Sequence, residues 1–277
     1  MSYITFGSLA TSADLGSQVQ QYASMYAVAK ETNKKIVFPE SSMKLGWSIK
    51  LSKLLDIELD IRPDSFFQGF VNITPTDGLI VDPKVFELDP NTNYNFNNLF
   101  HLYHYWYPKY KDDIFSLNWN QDNEAMAIEL FNTLKRPGKE LVSIHVRRGD
   151  YLNHDHFCKL DTRYYSQAID NFIPEIDKYH FMIFSNDIEW CKNNLIEGEM
   201  VTFIEPGIDS VDMIMMSMCD HNIIANSSFS WWAAFRNKNE NKKVICPKNY
   251  IRSYSPFKFM NGSWYPETWH AITNDDK

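Results

Sequence analysis

Leu141-Val142-Ser143-Ile144-His145-Val146, followed by Arg147-Arg148-Gly149-Asp150, is a short apolar run that ends abruptly in charge. An apolar run of this length reads as a strand buried on both faces, and the charged tetrapeptide marks its carboxyl end. The pattern recurs downstream. Phe181-Met182-Ile183-Phe184 ends in Ser185-Asn186-Asp187, and Val201-Thr202-Phe203-Ile204 ends in Glu205-Pro206-Gly207. Asn222-Ile223-Ile224-Ala225 ends in Asn226-Ser227-Ser228-Phe229-Ser230, and Lys243-Val244-Ile245-Cys246 stops at Pro247. Helical spacings lie between these runs. Asp161 caps a segment carrying Tyr165, Ala168, Ile169 and Phe172, and further helices are predicted over 188–195, 210–219 and from Ser228 onward. Short apolar strands alternating with helices predict a parallel sheet covered on both faces.

The amino-terminal half opens with a similar unit. Residues 3–9 read as a strand, and Leu15, Val19, Tyr22, Ala23, Tyr26 and Ala27 recur at helical spacing behind Ser12 or Asp14 as cap. Lys35-Ile36-Val37-Phe38 then forms a short run closed by Pro39, completing a βαβ pattern. Residues 41–120 show few clear periods. Within them His101, Tyr103, His104, Tyr105, Trp106 and Tyr107 form an aromatic cluster, read first as core or domain contact and second as a sugar-binding surface. Ala127, Ile128, Phe131 and Leu134 share one helix face, and Arg136-Pro137-Gly138 is a stop signal. The expected organisation is therefore two Rossmann-like α/β domains, 1–137 and 138–277, facing across a cleft.

The 277 residues suffice for two domains of ordinary size, and 44% hydrophobic with 22% charged residues is a globular composition. A net charge of −8 argues against nucleic acid as a partner, because phosphate neutralisation needs clustered Lys and Arg. Cys158, Cys191, Cys219 and Cys246 form no Cys-x-x-Cys pair, so reduced, buried thiols are expected rather than a zinc cluster. The first residues lack a signal-peptide pattern, and no stretch of about 20 apolar residues predicts a membrane span. A cytoplasmic protein is expected, with peripheral membrane contact left open.

In an open parallel sheet, ligands bind outside the carboxyl ends of the strands. The ends here are polar or charged while the strand bodies are apolar. A cation pair at one edge and a Ser-rich helix start at another suit a phosphate: Arg brings charge and forked donors, and a helix amino terminus brings free N–H groups. Alternation puts His145 and Arg147 on one side and Arg148 on the other. Arg147 is therefore assigned to the ligand, and Arg148 to Asp150 or another acid as support. Ser227 and Ser228 also read as an ordinary helix cap, which is compatible with an anion site.

These residues also carry a resemblance. His145-Val146-Arg147-Arg148-Gly149-Asp150-Tyr151 resembles the His-x-Arg-Arg-Gly-Asp-Tyr motif of α-1,2-fucosyltransferases, glycosyltransferase family 11. Phe184-Ser185-Asn186-Asp187-Ile188-Glu189-Trp190-Cys191 is similar to that family's second block. Asp212-Met213, with the run from His221 to Trp232, is similar to its third, and Tyr265-Pro266-Glu267-Thr268-Trp269 to its carboxyl-terminal Pro-x-x-Trp. Leu15-Gly16-Ser17-Gln18-Val19-Gln20-Gln21-Tyr22-Ala23 keeps the frame of the family's Leu-Gly-Asn-Gln segment. Ser17 replaces Asn, Gln20 replaces Phe, and the preceding glycines are absent.

The resemblance implies a GT-B fold with 1–137 as the acceptor side and 138–277 as the donor side, GDP-fucose as donor, a glycan acceptor, inversion at the anomeric carbon, and neither metal nor cofactor. It implies a donor site of His145, Arg147, Arg148, Asn186, Asp212, Ser227, Ser228 and Phe229, with Asp212 accepting from guanine, and it brings Gly16 and Gln18 to the cleft. The sequence has no Asp-x-Asp triplet of the kind that holds a diphosphate-bound cation, and cationic side chains can do the same electrostatic work. For a general base Asp150 and Asp155 stand first, with His154 and His156 beside them, and the run 151–158 also reads as a plain polar loop. Two alternatives stay open: a transferase using another nucleotide sugar, and a non-catalytic nucleotide- or glycan-binding relative.

Overall fold

The computed structural model describes residues 1–7, 9, 14–44, 49–74, 81–97, 102–205, 207–253 and 264–274. The chain divides into two compact units, Met1–Gln121 and Asp122–Lys277. The division falls after Gln121, the first residue of the helix Gln121–Leu134, and not behind that helix at the Arg136-Pro137-Gly138 stop. That helix buries Ala127 and Phe131, and its Glu124 lies close enough to the buried Arg236 of the second unit for their charges to interact.

The first unit holds a parallel sheet of four short strands, β1 (Tyr3–Thr5), β2 (Lys35–Ile36), β5 (Val71–Ile73) and β6 (Tyr94–Phe96), ordered β2-β1-β6-β5. A separate parallel pair joins β3 (Phe38–Pro39) to β4 (Ile61–Arg62). Helix α1 (Leu15–Thr32) starts at Asp14, whose carboxylate accepts from the Leu15 N–H, and ends at Asn33 in the left-handed conformation at φ 52°. Ser12, the other candidate cap, lies outside the described residues. The unit also contains α2 (Leu51–Leu54) and α3 (Tyr107–Phe115). Leu102, Tyr103, Tyr105 and Trp106 are buried, so this part of the aromatic cluster is core; residues 99–101 lie outside the described residues.

The second unit begins with α4 (Gln121–Leu134) and builds a six-stranded parallel sheet. Its strands are β7 (Glu140–Val146), β8 (Tyr179–Ser185), β9 (Val201–Ile204), β10 (His221–Ile223), β11 (Val244–Pro247) and β12 (His270–Ile272), ordered β12-β11-β10-β7-β8-β9. The connecting helices include α5 (Thr162–Asp170), α6 (Ile188–Asn194), α7 (Asp209–Met218) and α8 (Ser228–Arg236). From β7 the chain runs outward through β8 to β9, then crosses back to β10 and continues the other way. The strand order thus reverses between β7 and β10, the crevice where open α/β sheets bind ligands. Val142, Ile144, Val146, Phe181, Ile183 and Ile223 of the sheet pack with Tyr164, Tyr165 and Phe172 in one apolar core. Asp161 caps α5 by accepting from the Arg163 and Tyr164 N–H groups. At the far end of α8, Lys242 Nζ donates to the Asn237 carbonyl at 2.5 Å, complementing the negative pole of the helix.

Candidate functional site

Three segments meet at the switch point. Residues 145–151 leave β7, 226–230 lead from β10 into α8, and 185–187 leave β8. His145 is buried and shares a 2.9 Å hydrogen bond between its Nδ1 and Ser230 Oγ, which ties the first segment to the second. Burial, with the Arg147 charge adding to it, holds the imidazole pKa at about 3, so this histidine is neutral across the physiological range. Its ring lies 5.4 Å from that of Phe229. His145 is thus a hinge pin of the site, and an uncharged one.

Arg147 and Arg148 diverge. Arg148 is fixed: its Nε donates to Asp187 Oδ2 at 3.0 Å, and its guanidinium lies 3.9 Å over the Trp190 ring. Its support is therefore Asp187 and not Asp150. Asp150 pairs with Arg147 instead, accepting from Nη2 at 2.8 Å, and that carboxylate is 67% exposed. The Arg147 guanidinium also stands 4.9 Å over Tyr151. Its Nε is buried with no hydrogen-bond partner among the described residues. A buried guanidinium nitrogen without an acceptor is costly, and Arg147, though paired with Asp150 through Nη2, carries one at Nε.

Asn186 bonds the backbone at the end of β7. Its Oδ1 accepts from the Arg148 N–H at 2.9 Å and its Nδ2 donates to the Arg148 carbonyl at 3.2 Å. Both ends of the amide are spent on shaping the turn after β7. Gly149 completes that turn at φ +63°, and a Cβ there would meet Asn186 Nδ2 at 2.7 Å. Glycine takes this conformation without strain, whereas any side chain would strain the backbone and displace Asn186.

Ser227 caps α8, its hydroxyl accepting from the Phe229 N–H at 3.4 Å. Ser228 is the first helical residue and its N–H bonds the Tyr250 hydroxyl; the positive end of α8 follows strand β10, which neighbours β7. The sequence reading passed over three neighbours. Asn226 Nδ2 donates to the carbonyls of Cys158 and Tyr250 at 2.9 Å each, which braces the loop before α8. Tyr151 makes side-chain hydrogen bonds with Tyr250 and Ser227, and stacks on Phe157 at 4.2 Å. Tyr151 was legible as the last residue of the Arg-Arg motif; Tyr250 had no local signal.

Asp212 lies in the first turn of α7, half-buried, and accepts weakly from the Gly207 N–H at 3.5 Å. Burial raises its pKa to about 6; the Gly207 bond opposes the shift and the Asp209 charge adds to it. Three strand spacings of about 4.8 Å separate β9, which leads to α7, from β10. That is about 14 Å along the carboxyl edge. Asp155, His154 and His156 lie on the loop 154–157; the first two are exposed, and His154 Nδ1 accepts from the His156 N–H at 3.4 Å. Gly16 and Gln18 are buried in α1, and Gln18 Oε1 accepts from the Lys50 N–H at 2.8 Å. Among the described residues no group of three His, Cys, Asp or Glu is placed to hold a metal ion, and no helix is long and apolar enough to cross a membrane.

Two parallel-sheet units, the second with a cation and a capped helix start at its switch point, define the class: a GT-B fold. The chain belongs to glycosyl transferase family 11, whose profile matches residues 8–273. It is 35% identical over 144 residues to an α-1,2-colitosyltransferase of Escherichia coli, covering 47% of each chain. It is 34% identical over 155 residues to galactoside α-(1,2)-fucosyltransferase 2 of Hylobates lar, covering 50% of this chain and 43% of that one. The chain spans about half the length of the curated relatives it matches. Among solved structures, the fucosyltransferase NodZ from Bradyrhizobium superposes with a TM-score of 0.56 at 12% identity, covering 83% of this chain and 92% of NodZ.

Proposed function

We propose that this chain transfers L-fucose from GDP-fucose to a sugar hydroxyl, the 2-OH of a terminal galactoside, with inversion and without a metal ion. The observation that carries the reading is Arg147: a guanidinium at the switch point, its Nε buried and without a partner among the described residues, beside the amino terminus of α8. As the glycosidic bond breaks, charge accumulates on the β-phosphate of GDP. Arg147, with the positive pole of α8 beside it, is the group that would take that charge. Asp150, released when Arg147 turns to phosphate, is the carboxylate closest at hand to accept the acceptor's proton. Asp212 forms no ion pair among the described residues and reads the guanine N1–H and N2 amino group.

The galactoside fucosyltransferase relative supports fucose and the α-1,2 linkage. The colitosyltransferase relative favours a second reading, in which the same site takes a different nucleotide-linked sugar. The test is incubation with GDP-fucose and a set of galactosides, following GDP release and product linkage, with EDTA in a parallel series. An α-1,2-fucosylated product formed equally well in EDTA supports the proposal. GDP binding without fucose turnover would favour the second reading, and failure to bind GDP would remove both. Four buried cysteines that form no disulfide among the described residues support a reducing compartment, the cytoplasm, which cell fractionation would check.

A further inference from the structure

The groups assigned to the nucleotide stand at the starts of two helices. Asp212 lies in the first turn of α7, and Arg147 stands beside the amino terminus of α8. The two helices pack on one another. The polar bonds that fix one against the other lie at their far ends. α7 ends at Cys219 and α8 at Asn237. At 1.5 Å per residue these ends are about 10 Å from Asp212 and about 14 Å from Ser228.

Two buried asparagines build the joint. Asn237 is 2% exposed. Its Nδ2 donates to the Cys219 carbonyl and to Asn222 Oδ1, each at 2.8 Å, and its Oδ1 accepts from the Asn239 N–H at 2.8 Å. Asn222 is fully buried on β10. Its Nδ2 donates to the Met216 carbonyl at 2.9 Å and to Ser143 Oγ at 2.7 Å. Met216 and Cys219 close α7, where carbonyls lack an intrahelical donor. A plain cap would need one donor at one helix end. Here the amides run from α8 to α7 and on to β10 and β7. Asn222 and Ser143 are register partners, and Ser143 shares a face of β7 with His145 two residues on. His145 in turn bonds Ser230 in the first turn of α8. β7 therefore holds α8 at both ends, directly at the start and through Asn222 and Asn237 at the finish. The same two amides carry the end of α7. Both N–H bonds of each Nδ2 are used, and a satisfied buried network of this kind specifies one arrangement where apolar packing tolerates several.

We propose that Asn222 and Asn237 are positioning residues that set the spacing between Asp212 and the amino terminus of α8, and so hold the sites for the guanine and the diphosphate of one nucleotide in register. The inference rests on the nucleotide assignment above. Both asparagines lie at the helix ends remote from the ligand, so each half of the nucleotide should bind without their help. What the joint supplies is simultaneous engagement of the two halves, a gain in effective concentration. Calorimetry with GDP, set beside NMR titrations with guanosine and with inorganic pyrophosphate, separates the whole from its halves. In Asn237→Ala, GDP affinity should fall at least about tenfold while guanosine and pyrophosphate stay within twofold of native. Asn237→Ser keeps one donor, should lose less, and carries the test where the Ala variant does not fold. Lys242→Met removes the amine that caps the same end of α8 and leaves the tie to α7 in place. It should melt at a lower temperature and bind GDP as the native chain does. Equal losses for GDP and both halves, or GDP affinity that follows melting temperature across the three variants, would reduce the pair to a structural role and overturn the proposal. Native GDP affinity in the folded Asn237 variants would overturn it as well and leave the transfer reading standing. A native chain that does not bind GDP would remove both, whereas GDP binding without turnover of GDP-fucose would strike the fucosyl reading alone.

Discussion

Arg147 and Arg148 are neighbours with different work. Arg148 is held by Asp187 and Trp190 and shapes the turn, while Arg147 keeps a buried nitrogen in reserve. Arg147→Ala should therefore lower kcat by about 10²–10³-fold, or about 3–4 kcal/mol, with the fold intact by circular dichroism. Arg147→Lys should rescue poorly, because a point charge lacks the forked donors. Near-native kcat in Arg147→Ala would take the phosphate away from this residue. Asp212 gives a pH signature. Its pKa is raised to about 6 in the free protein, and guanine donors favour the carboxylate, so the bound value is lower. GDP affinity is then full above about pH 6 and falls as pH drops through that value, by up to about tenfold per unit until the bound carboxylate also protonates. Asp212→Asn should flatten this dependence, weaken GDP binding and reduce the preference for GDP over UDP. Calorimetry from pH 5 to 7.5 decides: a flat native profile with unchanged affinity in the variant would return Asp212 to a structural role at the start of its helix.

The turn after β7 belongs to the element scale, because one backbone position sets where both arginines go. Gly149→Ala places a side chain at φ +63°, which costs about 1–2 kcal/mol, and drives it into Asn186. Gly138 sits at φ +76° with nothing within 4 Å of a Cβ, so Gly138→Ala carries the backbone cost alone. Urea denaturation should show Gly149→Ala the more destabilised by at least about 1 kcal/mol, and only that variant should bind GDP more weakly. Equal losses would show that Asn186 yields without disturbing the turn. Five of the six strands of the second unit were legible because each is apolar and bounded by turn residues; β9 was read at its observed bounds, 201–204. The sixth, His270–Ile272, is exposed at two of three positions and gave no apolar run. In the first unit β3 to β6 are two or three residues long, shorter than any period that can be counted, and β5 is largely exposed. The motif named the arginines, but their partners depend on the distance between β7 and β8 ends. Asp187 was therefore chosen over Asp150 by packing that one strand alone does not encode.

At the scale of the whole molecule, two units with separate sheets and cores allow a ligand to stabilise one more than the other. Every residue assigned to the nucleotide, from His145 through Asp212 to Phe229, lies in Asp122–Lys277. Binding to the native state alone adds RT ln(1 + [L]/Kd), about 2.7 kcal/mol at 100 times Kd. Amides of β7 and β8 that exchange only through global opening of that unit should then slow about 100-fold in hydrogen exchange when GDP is present. Local protection should concentrate at 147–150, 207–212 and 227–230, where the turn, the guanine carboxylate and the α8 amino terminus meet the ligand. Amides of β1 and β6 should exchange at their unliganded rates, since nothing in their unit is assigned to GDP. Repeating the measurement at pH 5 should shrink the protection as Asp212 protonates. Slowing of β1 and β6 to the same degree as β7 and β8 would mean that the units unfold together or share the nucleotide, and the assignment of GDP to the second unit alone would fall.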